Sequence, residues 1–194
     1  VSLTATIKSG FVDAEDDHPV PNRRAYGFAG WVTGEKSVIV YDRFDLWRIN
    51  VDGSNAVRLT RGREDSTVYR CASEGGGFGG GRGGFGGARS APCALDGEGR
   101  AIDTNKPLIL TATGEYNKKS GYARVVAGQP VERLVWLDKS VTGLRKAKNA
   151  DVFLLQEQTF EESPNFFVAG ASLSAPTQVS HTNAFQGDYA WGKQ

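Results

Sequence analysis

Ser37 to Gly62 reads SVIVYDRFDLWRINVDGSNAVRLTRG, and its reading decides the fold. Val38-Ile39-Val40-Tyr41 is a short apolar, β-branched run of the kind buried in a sheet. Asp42-Arg43-Phe44-Asp45 is a polar reversal. Leu46 to Val51 alternates, which predicts a strand with Trp47, Ile49 and Val51 on one face and Arg48 and Asn50 on the other. Asp52-Gly53 signals a tight turn, because glycine enters the left-handed region at no steric cost. Val57-Arg58-Leu59-Thr60 then returns as a third strand.

The pattern recurs twice. Pro107-Leu108-Ile109-Leu110-Thr111 repeats the buried run, followed by a reversal, Gly121 to Val126, a Gly128-Gln129-Pro130 turn and Val131 to Val135. Val152-Phe153-Leu154-Leu155 repeats it again, followed by Glu161-Glu162-Ser163-Pro164, Asn165 to Val168 and Thr177 to Ser180. Val152 lies 44 positions after Leu108, near the period of a four-stranded propeller blade. Leu108 lies 70 positions after Val38, an excess of 26 that the Gly-rich tract and its flank supply. The expected fold is therefore all-β. It consists of about three four-stranded antiparallel blades of a β-propeller, a partial ring, with a Gly-rich insertion. The blades span about 23–70, 71–139 and 140–183 of one domain covering 1–194, with the insertion at 74–92 and an exit segment at 184–194.

Residues 1–9 read as the tail of a preceding strand, and Ala25 to Val32 as the innermost strand of the first blade. Val68 to Ala72 reads as that blade's outer strand, and Val141 to Lys148 as the innermost strand and turn of the third. Glu74 to Pro92 cannot pack on composition, since glycine loses most entropy on ordering and brings no side chain. Arg82 and Arg89 beside Phe78 and Phe85 give it an RNA-contacting look, but a formal net charge of +1 gives the chain no field to recruit a polyanion. A surface insertion is the favoured reading, and neither nucleic acid nor membrane is an expected partner. No apolar run approaches the roughly 20 residues of a spanning helix.

Cys71 and Cys93 are the only cysteines and bracket the insertion. One reading is a disulfide around 21 intervening residues, which stabilises by roughly 3 kcal/mol in the chain-entropy model. It would place the protein in an oxidising compartment, periplasmic or extracellular. The other reading is two unrelated buried thiols. The bracketing favours the disulfide.

Chemistry is otherwise sparse. Asp13, Glu15, Asp16, Asp17 and His18 could ligate calcium, but without the ordered spacing of a calcium loop a solvated acidic loop is the better reading. Gly34-Glu35-Lys36-Ser37 lacks the full phosphate-loop spacing and reads as a turn. Gly170-Ala171-Ser172-Leu173-Ser174 approaches a nucleophile elbow, yet lacks the second glycine and sits in a meander. His18 and His181 have no nucleophile beside them in sequence. No catalytic, cofactor-binding or metal-binding residues are expected.

VYDRFDLWRINVDGSNAVRLTRG resembles a repeat from the β-propeller of prolyl oligopeptidase-family serine peptidases, the group that includes dipeptidyl peptidase IV. KSGYARV, LRKAKNADVFLLQEQTFEESPNFFVA and PTQVSHTNAFQGDYAWG resemble the last blades of that propeller. The likeness covers roughly Tyr26 to Gly192 apart from the Gly-rich insertion. It implies a non-catalytic domain that gates peptide access to a separate α/β-hydrolase domain, where the catalytic residues reside. No position here matches them. It also implies that the partners are the remaining blades, that hydrolase domain and a peptide substrate. The chain begins at Val1 and holds no methionine, which favours a piece of a longer protein over a processed form. A TolB-like propeller that binds proteins without an attached enzyme is the alternative.

Overall fold

The buried apolar runs form strands where the pattern predicts them, and local turn chemistry joins them. A computed structural model describes residues 2–19, 21–72, 93 and 101–190. In chain order the first strands are β1 (Phe28–Val32), β2 (Ser37–Tyr41), β3 (Leu46–Asn50) and β4 (Val57–Arg58). A single helical turn, α1 (Gly62–Asp65), leads to β5 (Thr67–Cys71), β6 (Ala101–Ile102), β7 (Leu108–Gly114), β8 (Ser120–Val125) and β9 (Glu132–Leu137). Then follow β10 (Ser140–Lys146), β11 (Val152–Gln158), β12 (Asn165–Gly170), β13 (Thr177–Gln178) and a 3₁₀ turn at Gln186–Asp188. The fold is all-β, built mainly of antiparallel four-stranded meanders.

Between β3 and β4 the predicted Asp-Gly turn is present. Gly53 sits at φ +83°, and the Asp52 carboxylate accepts the Ser54 N–H at 2.8 Å. The second sheet runs β5-β7-β8-β9 and the third β10-β11-β12-β13. The first has five strands, β4-β3-β2-β1-β6, not four. Its extra member, β6, lies parallel to β1, so β1 is not an edge strand.

The sheets stack in chain order around two cores. Ile39, Leu46 and Leu59 of the first sheet meet Leu108, Leu110, Ala123 and Val125 of the second. The opposite face of the second sheet, with Tyr122 and Val135, meets Val141, Leu144, Phe153 and Leu155 of the third. The middle sheet is thus covered on both faces, so consecutive residues such as Tyr122 and Ala123 are both buried on opposite sides.

Three sequence expectations need correction. Val68 to Ala72 is not the outer strand of the first sheet. β5 pairs with β7 along Thr67↔Gly114 to Cys71↔Leu110 and opens the second sheet. The strand predicted over Leu46 to Val51 keeps its alternation but ends one residue early: β3 stops at Asn50, and Val51 lies in the turn, 40% exposed. Leu46 enters the first core, and Ile49 lies on the other face, opposite Val38. Finally, residues 2–9 form turns, not a strand. The N-terminal segment lies against the outer face of the first sheet. Phe11 meets Trp47 edge-on at 6.0 Å, and Ser9 Oγ donates to Asp42 at 2.5 Å.

The Gly-rich insertion at 74–92 lies outside the described residues, but Ala72 and Cys93 on either side of it are placed. The Ala72 N–H donates to Ile109 O, and the Ile109 N–H donates to Cys93 O. Ala72 and Cys93 therefore meet at one residue of β7, Ile109. Cys71 and Cys93 are joined by a disulfide, with Cα atoms 4.5 Å apart.

Candidate functional site

No hydrogen bond joins a serine to a histidine among the described residues. Ser172 and Ser174 share a hydrogen bond at 2.6 Å on an exposed turn. His181 Nδ1 lies 3.3 Å from the Gln178 amide nitrogen, and His18 Nδ1 lies 2.5 Å from the Asp16 carboxylate. The His18 hydrogen bond holds the Asp16 carboxyl below its ordinary value. Only Asp16, Asp17 and His18 of the acidic loop converge. Asp13 accepts the Glu15 N–H, and Glu15 pairs with Arg43. The loop is mostly exposed.

The polar groups the fold does organise lie at the β2–β3 reversal. Asp42 and Asp45 are both fully buried, which is costly for carboxylates unless each is satisfied. Asp42 accepts the N–H groups of Phe44 and Asp45, the Trp47 indole N–H and the Ser9 hydroxyl. Arg63 adds an ion pair at 3.2 Å. Burial disfavours the Asp42 charge, but these hydrogen bonds together outweigh it and hold the carboxyl below its ordinary 3.8. For Asp45 burial wins. Hydrogen bonds from Thr60 and Gly62 do not compensate, the Asp42 charge adds to the shift, and the carboxyl is raised.

Asp45 closes a clamp. Thr60 Oγ1 donates to Asp45 at 2.7 Å and accepts the Leu46 N–H at 3.0 Å. The Gly62 N–H donates to the same carboxylate at 2.5 Å. This ties the outer end of the first sheet to α1. Arg70 of β5 then donates to the carbonyls of Asp42 and Arg43, each at 3.0 Å, and stacks 4.8 Å over Tyr41. The second sheet is thereby latched to the first.

The third sheet repeats the clamp in other residues. Ser180 Oγ donates to Asn165 Oδ1 at 3.1 Å and accepts the Phe166 N–H at 2.8 Å. The Thr182 N–H donates to Asn165 Oδ1 at 2.8 Å. The hydroxyl lies 15 positions and the closing N–H 17 positions after the acceptor in both clamps. No protein-family model, curated protein or solved structure matches this chain. In the second sheet a different hydroxyl links strand to strand: Ser120 Oγ donates to Lys139 O and accepts the Val141 N–H at 2.7 Å.

Beside the third clamp is a polar cleft of about 500 Å³ that includes Glu157, Glu162, Ser163 and Gln186. Glu157 is buried and lies 3.5 Å from Lys139, which also reaches Glu162 at 3.4 Å. That cation is neutralised within the cleft. The clamps were missed in the sequence because the pairs Asp-Thr and Asn-Ser share chemistry and spacing but not identity.

Proposed function

We propose that this chain is part of the non-catalytic propeller of a serine peptidase of the prolyl oligopeptidase family, where it gates peptide access to an α/β-hydrolase domain. The observation that carries the reading is the repeated clamp. Two sheets in one stack close their outer ends with a hydroxyl bonded to a side-chain oxygen at identical spacing. Equal closures on stacked meanders are what a blade repeat requires.

The free face of the third sheet supports the same reading. The β11–β12 register places Val152, Leu154, Phe166 and Val168 on the face away from the second core. Val152 is 39% exposed and Phe166 37%. A further blade of the same ring is the partner such a face fits. The matching face of the first sheet does not lie open, since Val38 and Ile49 are buried there.

Expression of the natural reading frame around this segment, followed by fluorophosphonate labelling, tests the assignment. One labelled serine outside residues 1–194, together with peptide turnover, is expected. Label on Ser172 or Ser174, or none anywhere, would overturn it.

A further inference from the structure

Between the outer edges of the first and second sheets runs a groove of about 850 Å³. Val57-Arg58-Leu59 forms one wall, and the turn through Pro130 and Val131 forms the other. Three guanidinium groups, Arg58, Arg61 and Arg133, line it against one carboxylate, Asp65. We propose that this groove binds a ligand that carries a carboxylate or phosphate group on a partly apolar body. The proposal does not depend on the peptidase reading.

Two of the arginines are held in place. Arg133 donates to Thr67 Oγ1 at 3.0 Å, pairs with Asp65, and stacks 4.5 Å over the Trp136 ring. Arg58 lies 3.6 Å from Asp45 and pairs with Glu64. Each guanidinium carries five N–H donors in a fixed fork, so these contacts position the group without exhausting it. Rotamer entropy that a flexible side chain would lose on binding is already lost here.

Arg61 differs. It is exposed and forms no ion pair among the described residues, and its charge reaches Glu64 only as a weak pull. It is therefore the cation an incoming anion would engage most directly. The lining carries a net charge of +2, three arginines against one aspartate, although the whole chain carries only +1. Guanidinium forks match carboxylate and phosphate oxygens in bidentate geometry. Val57, Pro130 and Val131 offer apolar contact beside them, which a bare inorganic ion would leave unused.

Calorimetric titration of the full chain at low salt tests the proposal with three probes: inorganic phosphate, propane-1,2,3-tricarboxylate and the peptide acetyl-Glu-Glu-Phe amide. Saturable binding of at least one is expected. Arg61→Glu should weaken it at least about tenfold, and Arg61→Lys by less than about threefold, as loss and retention of a charge-assisted contact require. Both variants should melt within about 2 °C of the parent, because Arg61 is exposed and unpaired. Arg61→Gln replaces Arg61→Glu if the reversed charge disturbs folding. Phosphate binding without peptide binding, if it depends on Arg61, assigns the groove to phosphate-bearing ligands. Peptide binding without phosphate binding, on the same dependence, assigns it to carboxylates. No saturable binding by any probe, or unchanged binding by the charge-removed variant, would overturn the proposal.

Discussion

The first and third clamps make the same hydrogen bonds in opposite surroundings. Asp45, Thr60 and Gly62 are buried, with β5 of the next sheet laid against them. Asn165 and Ser180 are half-buried, and Thr182 is exposed. The difference shows in which residues are admissible. A β-carbon at Gly62 would stand 1.9 Å from Thr67 O and 2.9 Å from the Tyr69 ring, so only glycine fits. At the equivalent place in the third clamp an exposed threonine is accommodated, its hydroxyl donating to Pro164 O at 2.8 Å. The clamp's pattern is local, but its stringency comes from the neighbouring sheet.

The largest expected effect follows from that contact. Gly62→Ala should destabilise the protein by about 3 kcal/mol or more, because backbone at Thr67 cannot yield cheaply. Thr182→Ala, which keeps the clamping N–H and loses only the exposed hydroxyl's bond to Pro164 O, should cost about 1 kcal/mol or less. Urea unfolding of both variants measures the gap, and equal costs would break the comparison. Next in size, Thr60→Val strands the buried Leu46 N–H and should cost about 2 kcal/mol, whereas Ser180→Ala should cost nearer 0.5 kcal/mol, since water can replace the hydroxyl.

Two substitutions sharpen the comparison through pH. The Asp42 carboxyl titrates below its ordinary 3.8 in the folded chain, so its contribution is full above that value and lost as pH falls through the lowered one. Asp45 is raised, so its contribution is present below 3.8 and lost as pH rises through the raised value. The cost of Asp42→Asn should therefore grow from pH 3 to 6, while that of Asp45→Asn should shrink across the window above 3.8. Stability curves with parallel slopes for the two variants would contradict this. The smallest effect belongs to the Gly-rich tract. Deleting 75–87 leaves Ala72, Cys93 and both their bonds to Ile109, so the melting temperature should move by only a few degrees.

The strands that carry strong local signals were legible: the β-branched run before Asp42, the Asp-Gly turn and the repeated apolar runs at Leu108 and Val152 all form sheet. The position of β5 was not, because the sequence places it beside β4 while its partner β7 lies beyond the whole insertion. The two-residue β6 gives no periodicity to read and is held by a parallel partner far away in sequence. Alternation held along Leu46 to Asn50, but each face of that strand buries an apolar residue, Leu46 on one and Ile49 on the other, so polarity alone does not mark the inside. Asp45 and Thr60 lie in stretches that read simply as a reversal and a returning strand, and their pairing, like that of Asn165 and Ser180, shows only in the hydrogen bonds.

Ala72 and Cys93 share Ile109 of β7, one bonding its carbonyl and the other its N–H. The ladder therefore does not measure the length of chain spliced between them, and closing a longer excursion costs only logarithmically more. Evolution can lengthen, shorten or rewrite the sequence at this junction without shifting the register of any strand. The same junction is a graft point: a foreign peptide placed between Ala72 and Cys93 would be held at both ends by the Ile109 hydrogen bonds and the Cys71–Cys93 bridge.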